Sequence, residues 1–200
     1  MANLDQALFL WANGMVGNVP LFDDIVKWVV SDYLVPVGLA LTLFGLWFAG
    51  AQTSTRQRYQ QGVIAAVLAI VFSNTTVFLI NNGVFSFYDG YFRTRPFDDL
   101  EVSLLFYMPT DSSFPSNSVA VMFALAAAAW GVNRKVGSVL IGVATVFGLA
   151  RVYAGVHYPL DILAAVVIGL GAALVGFKLR DIAFPMTAKA IRVARIFCLA

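Results

Sequence analysis

The sequence predicts an all-α, polytopic membrane helix bundle of five or six spans. Three observations lead there. The 200-residue chain is 60% hydrophobic and only 12% charged, with a mean hydropathy of +0.81, whereas a soluble domain is about a quarter charged. Apolar runs recur at lengths near the ~20 residues that a bilayer requires. The connections between those runs alternate between basic and non-basic. One domain is expected over residues 1–200, with interfacial helices over 1–31, a membrane core over 61–177 and a basic cytoplasmic tail over 178–200.

Taken in order, Leu4 to Ala12 is a short amphipathic stretch with a tryptophan, too short to span and suited to the interface. Gly14 to Pro20 breaks it. Leu21 to Val30 reads as a second short helix, with Asp23 and Asp24 in the first turn, where acids complement the helix dipole. Tyr33 to Ala49 is the first span; Leu21 to Ala49 reads equally as one kinked span or as a surface helix plus a span. Ala51 to Gln60 is expected to be a polar loop, and Gln61 to Ile80 the second span, with Asn74, Thr75 and Thr76 hydrogen-bonding to neighbouring helices. Asn81 to Phe114 is the longest polar connection, and long connections are more often functional than idle. Pro115 to Trp130 is the third span, Asn133 to Lys135 a tight basic loop, Val136 to Ala150 the fourth span and Ile162 to Phe177 the fifth. The tail places Lys189, Arg192 and Arg195 at helical spacing, a pattern that suits an anionic membrane surface.

The basic residues set an orientation. Arg56 and Arg58, then Arg134 and Lys135, then the tail from Lys178 fall on one side of the membrane, with only Asp181 opposing. By the positive-inside rule that side is cytoplasmic, so the 81–114 connection and the turn from Arg151 to Asp161 face outward. Met1 to Gly14 has no basic n-region, so no cleavable signal peptide is expected. One cysteine, Cys198, excludes an intramolecular disulfide, and one cysteine with one histidine excludes a zinc or iron–sulfur site.

The outward turn reads Arg-Val-Tyr-Ala-Gly-Val-His-Tyr-Pro-Leu-Asp and contains the only histidine, His157. Ionisable groups between two spans are functional candidates by default. With Pro159 in the first turn of the next helix, His157 and Asp161 share a face at i, i+4. The carboxylate can then hold the imidazole in one tautomer. Arg151 offers a bidentate fork to an oxyanion. A lone histidine is more often a packed residue at a helix end, and the flanking Arg151 and Asp161 argue against that here. Two further stretches face the same side: Arg95-Pro96, and Pro115-Ser116-Asn117-Ser118 opening the third span, where free N–H groups of a helix N-terminus attract anions. Alone, each reads as a loop charge and an ordinary cap. Together, two arginines, a helix N-terminus and a carboxylate-oriented histidine describe a site for transferring phosphoryl to a histidine.

These stretches resemble the type-2 phosphatidic acid phosphatase family, membrane-embedded lipid phosphatases whose pattern is Lys-x6-Arg-Pro, Pro-Ser-Gly-His and Ser-Arg-x5-His-x3-Asp. The third part matches at Arg151, His157 and Asp161, with Ala150 for its serine. The second matches at Pro115 and Ser116, with Asn117 for glycine and Ser118 for histidine. The first matches at Arg95 and Pro96, with Tyr88 at the lysine position. The resemblance implies that His157 is a nucleophile forming a phosphohistidine and that Asp161 activates it. It implies that Arg95, Ser116, Asn117, Ser118 and Arg151 line the phosphate site, with Tyr88 as a substitute contact. It also implies that no metal or other cofactor takes part. Short bacterial members of this layout look like undecaprenyl-diphosphate phosphatases acting on the outer face. The expected partners are a lipid phosphate or diphosphate and membrane lipids, not nucleic acid. Ser118 is far too weak an acid to replace the family's second histidine, and Tyr88, Tyr153 and Asp111 are the substitutes to place. The alternative is a non-catalytic relative that binds or moves a phosphorylated lipid.

Overall fold

A computed structural model describes residues 4–31, 33–82 and 93–197. All regular structure there is helical: α1 (Leu4–Asn13), α2 (Pro20–Val30), α3 (Leu34–Phe48), α4 (Thr53–Asn81), α5 (Pro96–Asp99), α6 (Asn117–Val132), α7 (Arg134–Tyr153), α8 (Pro159–Ile182) and α9 (Phe184–Ile196). Helices α4, α7 and α8 are long and apolar enough to cross a membrane, and α2 with α3, bent by 49° to one another, would make a fourth crossing. The apolar α6 has 16 residues. With α6 counted, the apolar elements reach the lower of the two numbers expected from sequence.

The core is the trio α4, α6 and α8, with α7 against α6, α3 against α4, and α1 and α2 against α7. Small residues let the trio approach closely. Ala65 and Ala69 of α4, Ala120 and Ala124 of α6 and Ala165 and Ala172 of α8 are almost wholly buried, the packing mode expected where burial of apolar area gives helices little drive to associate. Gly169 sits where a Cβ would lie 2.5 Å from the carbonyl oxygen of Ala120. The outward faces carry large apolar side chains such as Phe44, Val67, Leu163, Val167 and Leu174, as lipid contact requires.

Several expected boundaries move, each for a physical reason. The expected polar loop 51–60 is helix from Thr53 onward. Arg58 donates through Nη2 to the carbonyl of Val132, and the fully buried Gln60 donates to Trp47 O and accepts from Arg195. Polar side chains with partners of this kind can continue a helix past the apolar run. At 1.5 Å per residue α4 is about 43 Å long, longer than the ~30 Å hydrocarbon layer. The expected loop 133–135 reduces to Asn133, whose side chain accepts from Lys135 N and Val136 N and caps α7. Pro115 does not open α6; it lies before the N-cap, Ser116. The fifth span runs on to Ile182, so the tail boundary at 178 falls inside α8, and α9 packs back on α4 and α8 through Ile191 and a Thr187–Gln61 hydrogen bond. Helix α1 is more than an interfacial anchor: Phe9 is fully buried, edge-on to Tyr158 with centroids 5.3 Å apart.

Two ends result. At one lie the N-terminus of α4, the α6–α7 junction and the C-terminus of α8, with Arg56, Arg58, Arg134, Lys135, Lys178 and Arg180. At the other, the 93–116 segment folds down between the helix ends, where Arg95, Ser112, Ser113 and Ser116 are buried.

Candidate active site

The turn from α7 to α8 places the histidine. Gly155 takes φ +86°, a left-handed conformation that side chains other than glycine rarely adopt, and Val156 N closes the turn on Arg151 O at 3.1 Å. Pro159 occupies the first turn of α8, as expected. The Asp161 carboxylate reaches back to accept from Tyr158 N at 2.8 Å, which fixes the helix start. His157 lies just ahead of that start, 2% exposed.

Its two ring nitrogens face different partners. Nδ1 is 3.0 Å from the carbonyl oxygen of Ser113. A carbonyl only accepts, so Nδ1 carries the proton and Nε2 carries the lone pair. Nε2 faces Ser116 Oγ at 3.1 Å and Arg95 Nη1 at 3.3 Å. The direct hydrogen bond expected between Asp161 and the imidazole is not formed: Asp161 Oδ2 stands 3.6 Å from Nδ1. The carboxylate instead accepts from Ser113 Oγ at 2.6 Å, from Tyr158 N, and from Arg93 Nη1 at 2.6 Å. The tautomer is therefore set by a backbone carbonyl, and Asp161 holds the residue that supplies it. Burial pushes the imidazole down from 6.5 to about 4; the charges of Arg151 and Arg95 act in the same direction and Asp161 against it. His157 is neutral at pH 7.

In front of Nε2 opens a cavity of about 160 Å³ lined by Arg95, Arg151, His157, Asn117 and Ser118, with Asp111 and Tyr107 at its wall. Arg151 is 4% exposed and stacks over Phe106 and Phe147, at 4.9 and 5.4 Å from the ring centroids. Arg95 is anchored through Nη1 to Val156 O and through Nε to Asp111 O. Ser116, although an N-cap, spends its hydroxyl on His157. Asn117 lines the cavity while its Nδ2 donates to Asn74 Oδ1 of α4 at 2.8 Å. The structure thus brings Arg95, Ser116, Asn117, Ser118, Arg151 and His157 together, with Asp161 behind the imidazole. Tyr88 lies outside the described residues. Tyr153 is no substitute acid: its single hydroxyl proton goes to Asp23 Oδ1 at 2.7 Å, with Met15 O 3.2 Å away, and neither lines the cavity. Among the described residues no three His, Cys, Asp or Glu side chains cluster as a metal site.

Three contributors escaped the sequence reading. Arg93 pairs with Asp161 and with Asp5 of α1, its guanidinium 4.1 Å from the Tyr158 ring. Asp5 also accepts from Leu160 N at 2.8 Å, tying α1 to the start of α8. Ser113 lies three residues before Ser116, and its carbonyl acts through the backbone, invisible to residue type. Only Arg93 had a local signal, in the run Arg-Thr-Arg-Pro.

The PAP2 superfamily pattern matches residues 62–184, more than half of the 200-residue chain. The chain belongs to the PAP2 superfamily. The matched PAP2 region contains every residue placed around His157 except Asp5. Undecaprenyl-diphosphatase BcrC of Bacillus subtilis is 26% identical over 190 residues, covering 95% of this chain and 91% of that protein. The putative undecaprenyl-diphosphatase YbjG of Escherichia coli is 29% identical over 172 residues, covering 85% and 79%. The crystal structure of Aquifex aeolicus LpxE superposes with a TM-score of 0.66 at 28% identity, covering 88% of this PAP2 chain and 96% of that one.

Proposed function

We propose that this PAP2 protein is a membrane lipid diphosphatase that removes the terminal phosphate of a polyprenyl diphosphate, of the undecaprenyl type, through a phosphohistidine at His157 on the extracytoplasmic face. The observation that carries the proposal is the Nε2 lone pair of a neutral, buried imidazole in direct reach of Arg95 and Ser116, beside a cavity that both Arg95 and Arg151 line. The names of the two relatives, both called undecaprenyl-diphosphatases, support the substrate class. The basic residues at the end opposite the site support the sidedness.

The geometry supports the following sequence of events. Arg95 and Arg151 hold the terminal phosphate by charge-assisted hydrogen bonds, and the Ser116 hydroxyl turns its one hydrogen from Nε2 to the phosphate, which frees the lone pair. Nε2 attacks phosphorus, the bond to the bridging oxygen breaks, and the lipid monophosphate departs. The imidazole gains positive charge as the N–P bond forms. The Nδ1–H bond to Ser113 O and the Asp161 carboxylate 3.6 Å away stabilise that charge. The leaving lipid monophosphate has a second pKa of about 6, so it leaves without a proton donor. A monoester would expel an alkoxide, whose conjugate acid is about as weak as bulk water, near 15.7. Ser118, at the position of the family's second histidine, cannot supply that proton, which favours diphosphates over monoesters.

Ser118 also motivates the second reading, a relative that binds phosphorylated lipid without turning it over. Phosphate release from a polyprenyl diphosphate in detergent, with wild type and His157→Ala side by side, separates the two. Release that depends on His157 supports the enzyme; binding without release supports the carrier.

A further inference from the structure

We infer that Asp111 is the base that activates water in the second half of the reaction, where the phosphohistidine is hydrolysed; this rests on the diphosphatase reading above. Dephosphorylation needs a group that takes a proton from water, and the residue aligned with the family's second histidine is Ser118, a hydroxyl. Asp111 lines the same cavity as His157 and Ser118. Its Oδ1 accepts from Arg95 Nη2 at 2.8 Å, while Nη1 of the same guanidinium is 3.3 Å from His157 Nε2. The guanidinium is rigid and planar. The carboxylate and the reacting nitrogen therefore sit on the two arms of one fork, with Arg95 held through Nε by Asp111 O and through Nη1 by Val156 O.

A phosphoryl group on Nε2 has the Arg95 fork beside it, and the Asp111 carboxylate lines the same cavity, whose volume of about 160 Å³ can admit a water. Asp111 is the carboxylate on the cavity wall, and a carboxylate oxygen can take a proton from water. Its side chain is 62% exposed, so the proton it takes has a path to bulk solvent. Among the described residues the other acids near the site are otherwise engaged. Asp161 is fully buried on the Nδ1 side of the ring. Asp98 caps Arg95 N, and Asp99 accepts from Thr94. The hydroxyls of Ser118 and Tyr107 are weak bases in their neutral forms.

The step balances as follows. Asp111 accepts a proton from water, the water oxygen bonds to phosphorus, and the P–Nε2 bond breaks with its electron pair returning to Nε2. Inorganic phosphate is released, and Asp111 loses its proton to solvent.

The test is rapid quenching of the full-length protein in detergent with a polyprenyl diphosphate radiolabelled in its terminal phosphate, comparing wild type with Asp111→Asn. Asparagine keeps an oxygen for Arg95. The expected result is an undiminished first-turnover burst of lipid monophosphate, label accumulating on the protein, and steady-state phosphate release at least ~10²-fold slower, the lower range for lost acid–base help. Hydroxylamine, a nucleophile that needs no base, should discharge the accumulated label and restore turnover in Asp111→Asn more than in wild type. Steady-state release within about threefold of wild type, or a lost burst without hydroxylamine rescue, overturns the assignment to Asp111 alone. If wild type neither releases phosphate nor acquires label, the diphosphatase reading falls, and the assignment with it.

Discussion

Arg93 Nη1 lies 2.6 Å from Asp161 Oδ1, and its other terminal nitrogen is 2.5 Å from Asp5 of the first helix. One guanidinium thus joins the N-terminal helix to the carboxylate behind the histidine. Asp161 is fully buried, and Arg93 keeps 19% of its side chain exposed. Removing one member of a buried pair strands the other charge, at a cost of about 3–5 kcal/mol. Arg93→Met should fall toward the lower end because of that exposure. Thermal unfolding in detergent should show the loss, and Asp161→Asn in the same chain should recover part of it. Full additivity of the two substitutions would contradict the pairing.

The histidine titration is directly testable because the chain has one histidine. The structure puts His157 near 4 instead of 6.5, with burial as the leading cause. Above pH 6.5 the imidazole is neutral folded or unfolded and contributes nothing to pH dependence. As pH falls from about 6.5 toward 4, the unfolded chain takes a proton that the folded chain does not, so stability declines over that window. Modification of His157 by diethyl pyrocarbonate, which needs the neutral ring, should therefore follow a midpoint near 4. A midpoint near 6.5 would remove the buried, neutral nucleophile.

The proposed mechanism makes Ser118 the residue that sets the balance between substrates. Ser118→His should raise kcat/KM on a phosphatidic acid monoester more than on the diphosphate, because only the monoester needs its leaving group protonated. If wild type cleaves both equally and the substitution shifts neither, another group supplies the proton.

The turn before the histidine depends on Gly155. Alanine there must adopt φ +86° with its Cβ 3.2 Å from Ser103 O, costing about 1–2 kcal/mol. Because Gly155 lies two residues from His157, kcat should fall more than KM rises. Unchanged kinetics would show that the turn tolerates another conformation.

Much of the site was legible because its chemistry is carried by residue types at fixed local spacing. Arg151, His157 and Asp161 span one turn, and Arg95-Pro96 and Ser116 are short signatures. The contacts that were not legible are long-range or lie in the backbone. Asp5 reaches Leu160 across 155 positions, and Ser113 holds the imidazole with a carbonyl that every residue possesses. The apolar spans were legible from hydropathy, since lipid contact requires apolar faces. Their ends were not: Arg58 and Gln60 look like loop residues until Val132, Trp47 and Arg195 supply partners inside the fold.

The central claim is that phosphoryl passes through His157. The measurement is to quench turnover of a polyprenyl diphosphate labelled in its terminal phosphate and to locate the label in the protein. The account predicts label on the peptide containing His157, stable in alkali and lost in acid, and neither label nor turnover in His157→Ala. Phosphate release by wild type without labelled histidine, or turnover in His157→Ala above a few per cent of wild type, would contradict it.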